Sequence, residues 1–145
     1  MRTQSGFTFI EAMITVTIIG ILAAIAVPMY NEYITRSQLV EAHSNLGQYR
    51  IAMEQHYQDN RNYKGTGLDG CGAAEPAKTN FTYTCVLGKA DQAYVATATG
   101  NATGRAKDFI FTINERNERK TTGAPAAWQP GTFPADCFLT RKKGC

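Results

Sequence analysis

From Ala12 to Tyr30 the chain carries no charged side chain, and the one acid at the head of this run, Glu11, stands five residues after Gly6. A stretch this long and apolar can cross a bilayer as a tilted helix, beginning as early as Phe7 if Glu11 is tolerated. Glu11 is the anomaly. Charged residues at the centre of a membrane helix cost about 2.5–3.5 kcal/mol on insertion scales, so a helix that only anchors would be better served by an apolar residue there.

Three readings compete. In a secretory signal peptide Arg2 is the basic end, Ala24-Ile25-Ala26 resembles a cleavage site, and the mature chain starts at Val27. That reading leaves Glu11 unexplained, and helix-compatible sequence continues well past Ala26. A plain N-terminal anchor with Glu11 at the interface is allowed but needs no carboxylate. The third reading gives Glu11 a partner. Cleavage after Gly6 would free an α-amino group on Phe7, with a reference pKa near ~8 and so largely cationic at neutral pH. A carboxylate four residues on lies one helical turn away and is favoured by the helix dipole. Within one chain or between packed copies, each charge makes the other tolerable in apolar surroundings, so association is selected for one axial stagger.

The run Gly6, Phe7-Thr8-Phe9-Ile10-Glu11, then Ala12-Met13-Ile14 and Ile19-Gly20-Ile21-Leu22-Ala23-Ala24-Ile25-Ala26-Val27-Pro28-Met29-Tyr30, resembles the N-terminus of a type IVa prepilin. The likeness extends through Tyr33 and Arg36-Ser37-Gln38; Phe9 stands where the family usually has Leu. The resemblance implies that residues 1–6 are a cytoplasmic leader, and that a membrane prepilin peptidase cuts between Gly6 and Phe7 and methylates the new amine. It implies that Glu11 neutralises the Phe7 amine of a neighbouring subunit. Arg2 is the only basic residue of that leader, as the positive-inside tendency expects.

Beyond Pro28 the apolar residues thin to one face: Tyr30, Tyr33, Ile34, Val40, Leu46, Tyr49, Met53 and Tyr57 recur at spacings of three and four. The pattern predicts one helix from Phe7 to about Asn60, roughly 80 Å long at ~1.5 Å per residue, with residues 7–30 as the membrane and assembly segment and 31–60 as an amphipathic part. No domain of this size needs such a helix for its own core, so its first half is expected to be buried by a membrane and later by other copies. Gly20 and Pro28 weaken the helix. The resemblance implies that the segment between them can unwind in an assembled filament.

At Asp59-Asn60-Arg61-Asn62 the texture changes to turn formers, opening a head over 61–145. Alternation predicts strands at 81–87, 94–99 and 109–113, with a shorter fourth at 119–122 after a turn through Glu115-Arg116-Asn117-Glu118. A four-stranded antiparallel meander laid on a helix is an α+β fold, and the resemblance implies the same. Cys71, Cys85, Cys137 and Cys145 all lie in the head, outside any metal-ligand spacing. Their even number predicts disulfides and an oxidising compartment, and proximity favours Cys71 with Cys85 and Cys137 with Cys145. The last pair would close a loop bearing Arg141, Lys142 and Lys143, a place where DNA phosphates or an anionic surface could bind. The family also places a disulfide-bounded loop at the C-terminus.

There is no phosphate loop, no GxSxG and no HExxH, and His43 and His56 read as solvated residues on the helix's polar face. The expectation is a structural subunit with no enzymatic activity and no cofactor or metal. It would start in the bacterial inner membrane, N-terminus cytoplasmic and head periplasmic, and end in an extracellular pilus. The resemblance implies other pilin subunits, the prepilin peptidase and the pilus assembly machinery as partners, and attachment, twitching motility or DNA uptake as uses. A type II secretion pseudopilin shares the N-terminus; a domain secreted after Ala26 is the reading from a different class.

Overall fold

The computed structural model describes residues 6–145. Residues 1–5 of the expected leader lie outside the described part, so its structure is tested only at Gly6. The elements are α1 (Phe9–Asn60), β1 (Phe81–Leu87), β2 (Tyr94–Gly100), β3 (Ile110–Asn114) and β4 (Arg119–Gly123), with short 3-10 turns at Leu68–Gly70 and Lys89–Asp91. The chain divides into two compact units, one ending at Ile34 and one covering Thr35–Cys145.

In the first unit α1 starts at Phe9, two residues later than periodicity suggests. Thr8 is the reason: its hydroxyl accepts the Glu11 N–H at 3.3 Å and its carbonyl accepts the Ala12 N–H at 3.2 Å. Thr8 is therefore the N-cap and Glu11 the third helical residue, the pattern of a capping box. The helix continues through Gly20 and Pro28 without interruption. Apolar side chains are exposed on every side, from Phe9 through Ile25 to Met29. The hydroxyls of Thr15 and Thr17 donate to the carbonyls of Ala12 and Met13, both at 2.8 Å, so two polar groups satisfy themselves within the helix.

In the second unit the buried positions of α1 are Leu39, Ala42, Leu46, Tyr49 and Met53, alternating three and four residues apart. That stripe corrects the expected one in part. Val40 is 60% exposed, because the buried face runs through Leu39 and Ala42 and turns away from it around the helix, while Tyr30 and Tyr33, at 64% and 68% exposed, belong to the first unit. The helix stops at Asn60, whose side-chain amide donates to the His56 carbonyl at 3.0 Å, and Arg61 follows in the left-handed region with its N–H on the Tyr57 carbonyl.

The four strands form an antiparallel sheet in the order β1-β2-β3-β4, as expected from their alternation. Phe81, Tyr83 and Cys85 of β1, Tyr94, Ala96 and Ala98 of β2, and Phe111 and Ile113 of β3 are buried, while Thr82, Thr84, Val86 and Val95 face out. Polar contacts tie the helix to this sheet: Asn45 donates to the Tyr83 hydroxyl at 2.8 Å, and Tyr57 donates to Gln92 at 2.9 Å. Glu41 takes hydrogen bonds from Thr79 and from both the backbone and the side chain of Asn80. Burial pushes the Glu41 carboxyl up, but these bonds outweigh it and leave it below the ordinary carboxylate value.

Cys71 is bonded to Cys85 and Cys137 to Cys145, the pairing that proximity favours. One contact was not legible in the sequence. The segment after β4 returns to it: Thr121 and Ala135 exchange both backbone hydrogen bonds, at 2.9 and 3.1 Å. The buried Thr121 hydroxyl donates to the Cys137 carbonyl at 2.7 Å and accepts the Leu139 N–H at 3.1 Å. Trp128 meets Phe109 edge to face at 5.2 Å, so the proline-rich tail is packed as well as paired.

Candidate functional site

Gly6 and Phe7 precede the cap as irregular, exposed backbone, with Phe7 82% exposed. A Cβ built at Gly6 would meet no atom within 4 Å. Packing within the chain therefore does not require a glycine there. The Glu11 backbone is held by Thr8 while its side chain stays exposed. Capping gives Thr8 a local role that the sequence reading missed, although the Thr-x-x-Glu spacing was visible at residues 8–11.

The head carries two features at its C-terminal end. The first is the loop closed by Cys137 and Cys145. Arg141 and Gly144 exchange backbone hydrogen bonds at 3.3 Å, and Lys143 has a φ of 59° with its N–H on the Trp128 carbonyl at 3.1 Å. The loop is thereby held at the turn, at Trp128 and, through Cys137 and Leu139, at Thr121. Arg141, Lys142 and Lys143 are all exposed on it. Holding three cations on a fixed backbone lowers the entropy lost on binding an anionic partner.

The second is a cleft of about 770 Å³ between the β3–β4 turn, the helix and the first residues of that loop, from Asp136 to Thr140. Its lining includes His43, Asn117, Glu118, Arg119, Lys120 and Phe138. Phe138 stacks on His43 with ring centres 4.8 Å apart and meets Phe111 edge to face at 5.6 Å. The Arg119 guanidinium lies 5.7 Å from the Phe138 ring centre. His43 is therefore not the solvated residue expected from its position on the helix. It is enclosed by rings that arrive from β3 and from the tail. Burial, and then the Arg119 charge, push its imidazole down to about 4, so it is neutral at physiological pH. His56 is also engaged, with Nε2 2.8 Å from the Lys64 carbonyl, where it holds the start of the α1–β1 connection.

No group of three or more metal-ligating side chains occurs among the described residues. The first helix is long and apolar enough to cross a membrane.

Comparison with known proteins agrees with this geometry. Residues 28–109 match the family model described as type IV minor pilin ComP, DNA uptake sequence receptor, and residues 1–27 match the prokaryotic N-terminal methylation motif. A fimbrial protein of Pseudomonas aeruginosa is 32% identical over 94% of this chain and 98% of its own. The fimbrial protein EcpC of Eikenella corrodens is 37% identical over 94% of this chain and 83% of its own. Among solved structures, the non-core minor pilin PilV of Neisseria meningitidis superposes with a TM-score of 0.50 at 17% identity, covering 64% of this chain and 91% of that one.

Proposed function

The chain belongs to the type IV pilin family, and from that premise we propose that it is a minor subunit of a type IV pilus whose head binds double-stranded DNA for uptake. The observation that carries the DNA reading is the match of residues 28–109, more than half of the chain, to a model of a DNA uptake sequence receptor. The exposed cations Arg141, Lys142 and Lys143 on their pinned loop support it.

In this reading the prepilin sits in the inner membrane with residues 1–6 in the cytoplasm and the head in the periplasm. The peptidase cuts between Gly6 and Phe7. The new Phe7 amine pairs with the Glu11 carboxylate of a neighbouring copy as the apolar helix leaves lipid for a bundle of like helices. The assembly machinery and other pilins are then its partners, and the filament displays the head outside the cell. Three cations supply sequence-independent attraction to phosphates, with a salt slope of about −2 to −3. Several heads on one filament would add avidity.

The test is a titration of the full-length protein in detergent with duplex DNA at several salt concentrations. Wild type should bind, and replacing Arg141, Lys142 and Lys143 with Ala should weaken binding at low salt and flatten the slope by about 2–3. Undiminished binding by the triple variant would remove the loop from the reading. The mature N-terminus is checked by mass: Phe7 carrying one methyl is expected, and Val27 would mean secretion. A second reading, a principal structural subunit, is favoured by the near full-length similarity to fimbrial proteins. Abundance in sheared filaments separates the two, since a minor subunit is a trace component.

A further inference from the structure

A receptor for a defined DNA sequence needs more than phosphate contacts, because those fix position without carrying sequence information. The basic loop contains three cations and no acid between Arg141 and Lys143, so it suits that sequence-blind role. The cleft beside it is different in kind. Its charged lining residues are two cations, Arg119 and Lys120, and two acids, Glu118 and Asp136, so it has little net pull on phosphate. What it offers is fixed donors and acceptors.

Arg119 is the most constrained of these. An exposed arginine ordinarily samples many rotamers, and ordering it on binding is costly. Here two contacts order it in advance. Its Nε donates to the Asn117 Oδ1 at 3.2 Å, and its guanidinium lies over the Phe138 ring. Asn117 is itself placed by the turn, in the left-handed region with a φ of 59° and its N–H on the Asn114 carbonyl. Phe138 is held by His43 on one side and Phe111 on another. Because His43 is neutral, the ring stack adds no charge to repel the arginine.

The acids nearby are already engaged. Glu118 accepts from the Asn114 amide at 2.8 Å, and Asp136 pairs with Lys120 at 3.5 Å. Among the described residues no carboxylate forms a salt bridge with Arg119, and the guanidinium edge carrying the two terminal nitrogens is left for a ligand. Two parallel N–H donors on a preset plane match the O6 and N7 acceptors of guanine in the major groove, which no other base presents together.

We propose that Arg119, held by Asn117 and Phe138, is the specificity-determining residue of the head and reads one guanine edge, while the basic loop holds the backbone. This rests on the DNA reading above. The step is binding alone, with no covalent change.

The test uses the full-length protein in detergent and a duplex library of randomised sequence. Wild type should enrich a motif with a guanine at one position. Arg119→Lys keeps the charge but removes the fork, so affinity for the selected duplex should fall about 5- to 100-fold, with the preference lost at that position alone. Affinity for a scrambled duplex and the salt slope should stay near wild-type values, whereas a phosphate-contacting or merely structural role would weaken binding to the selected and scrambled duplexes alike. If Arg119→Lys keeps the wild-type ratio of selected to scrambled binding, this inference falls and DNA binding by the head stands. If the wild-type protein binds no duplex at all, both fall together.

Discussion

One helix, α1, is two different objects along its length. Up to Ile34 its apolar side chains are exposed on every side, with Ile19, Leu22 and Ile25 all more than 60% open. From Thr35 onward it buries a narrow stripe, Leu39 and Met53 completely, against a sheet from its own chain. The difference lies in pattern rather than in apolar content. A stripe at spacings of three and four can be covered by one neighbouring layer, whereas a helix that is apolar all round must be surrounded. The first part is therefore specified for a solvent it does not carry with it, lipid or other copies of itself, and the second for a core encoded in cis.

Substitutions that act on one part only will break this comparison if it is wrong. The largest effect on filament assembly is expected from Glu11→Ala, which in the proposed pairing leaves the Phe7 amine without its counter-charge in apolar packing, so incorporation into sheared filaments should drop at least about tenfold. The head should melt at its wild-type temperature, and undiminished assembly would refute the pairing. Phe111→Ala should do the reverse, destabilising the head by about 3–5 kcal/mol, because this fully buried ring touches His43 and Phe138. Thermal melting of the full-length protein in detergent measures it, and insertion of the prepilin into membranes should not change.

Replacing Cys71 and Cys85 together with Ser should cost about 3 kcal/mol by the loop-entropy argument, again in the head alone. The smallest expected effect is acid sensitivity. His43 has a folded-state value of about 4 against an ordinary 6.5, so the unfolded chain binds the extra proton first. Its contribution is present above about pH 6.5 and is lost as pH falls toward 4, by at most about 3 kcal/mol. His43→Gln should flatten the melting temperature over that window; an unchanged slope would mean the imidazole is not enclosed in solution.

Much of the fold was legible because the signals are local. β1, β2 and β3 lie within one residue of their expected limits, since alternation over five to seven residues is read without reference to any other segment. The turn at Glu115–Glu118 and the two disulfides followed from short separations in the same way. The stripe on α1 was read with Tyr30, Tyr33 and Val40 on it and with Leu39 and Ala42 missing. Two neighbouring registers of a mixed three-and-four pattern differ by about 100° of rotation, and only the position of the sheet chooses between them. Gly6 and Glu11 were visible as a spacing; the cap that Thr8 supplies, and with it the start of the helix at Phe9, appeared with the backbone.

What the chain determines unaided is which residues meet an outside solvent and where strands and turns fall, because each depends on residue type within a few positions. What needed the tertiary structure is the end of the head. His43, Arg119 and Phe138 come from α1, β4 and the tail, and Thr121 is clasped to Ala135, Cys137 and Leu139. No local pattern encodes those meetings. They are decided when the sheet's register and the path of the returning tail bring distant residues within contact distance, and burial then removes the water that would have kept His43 an ordinary surface histidine.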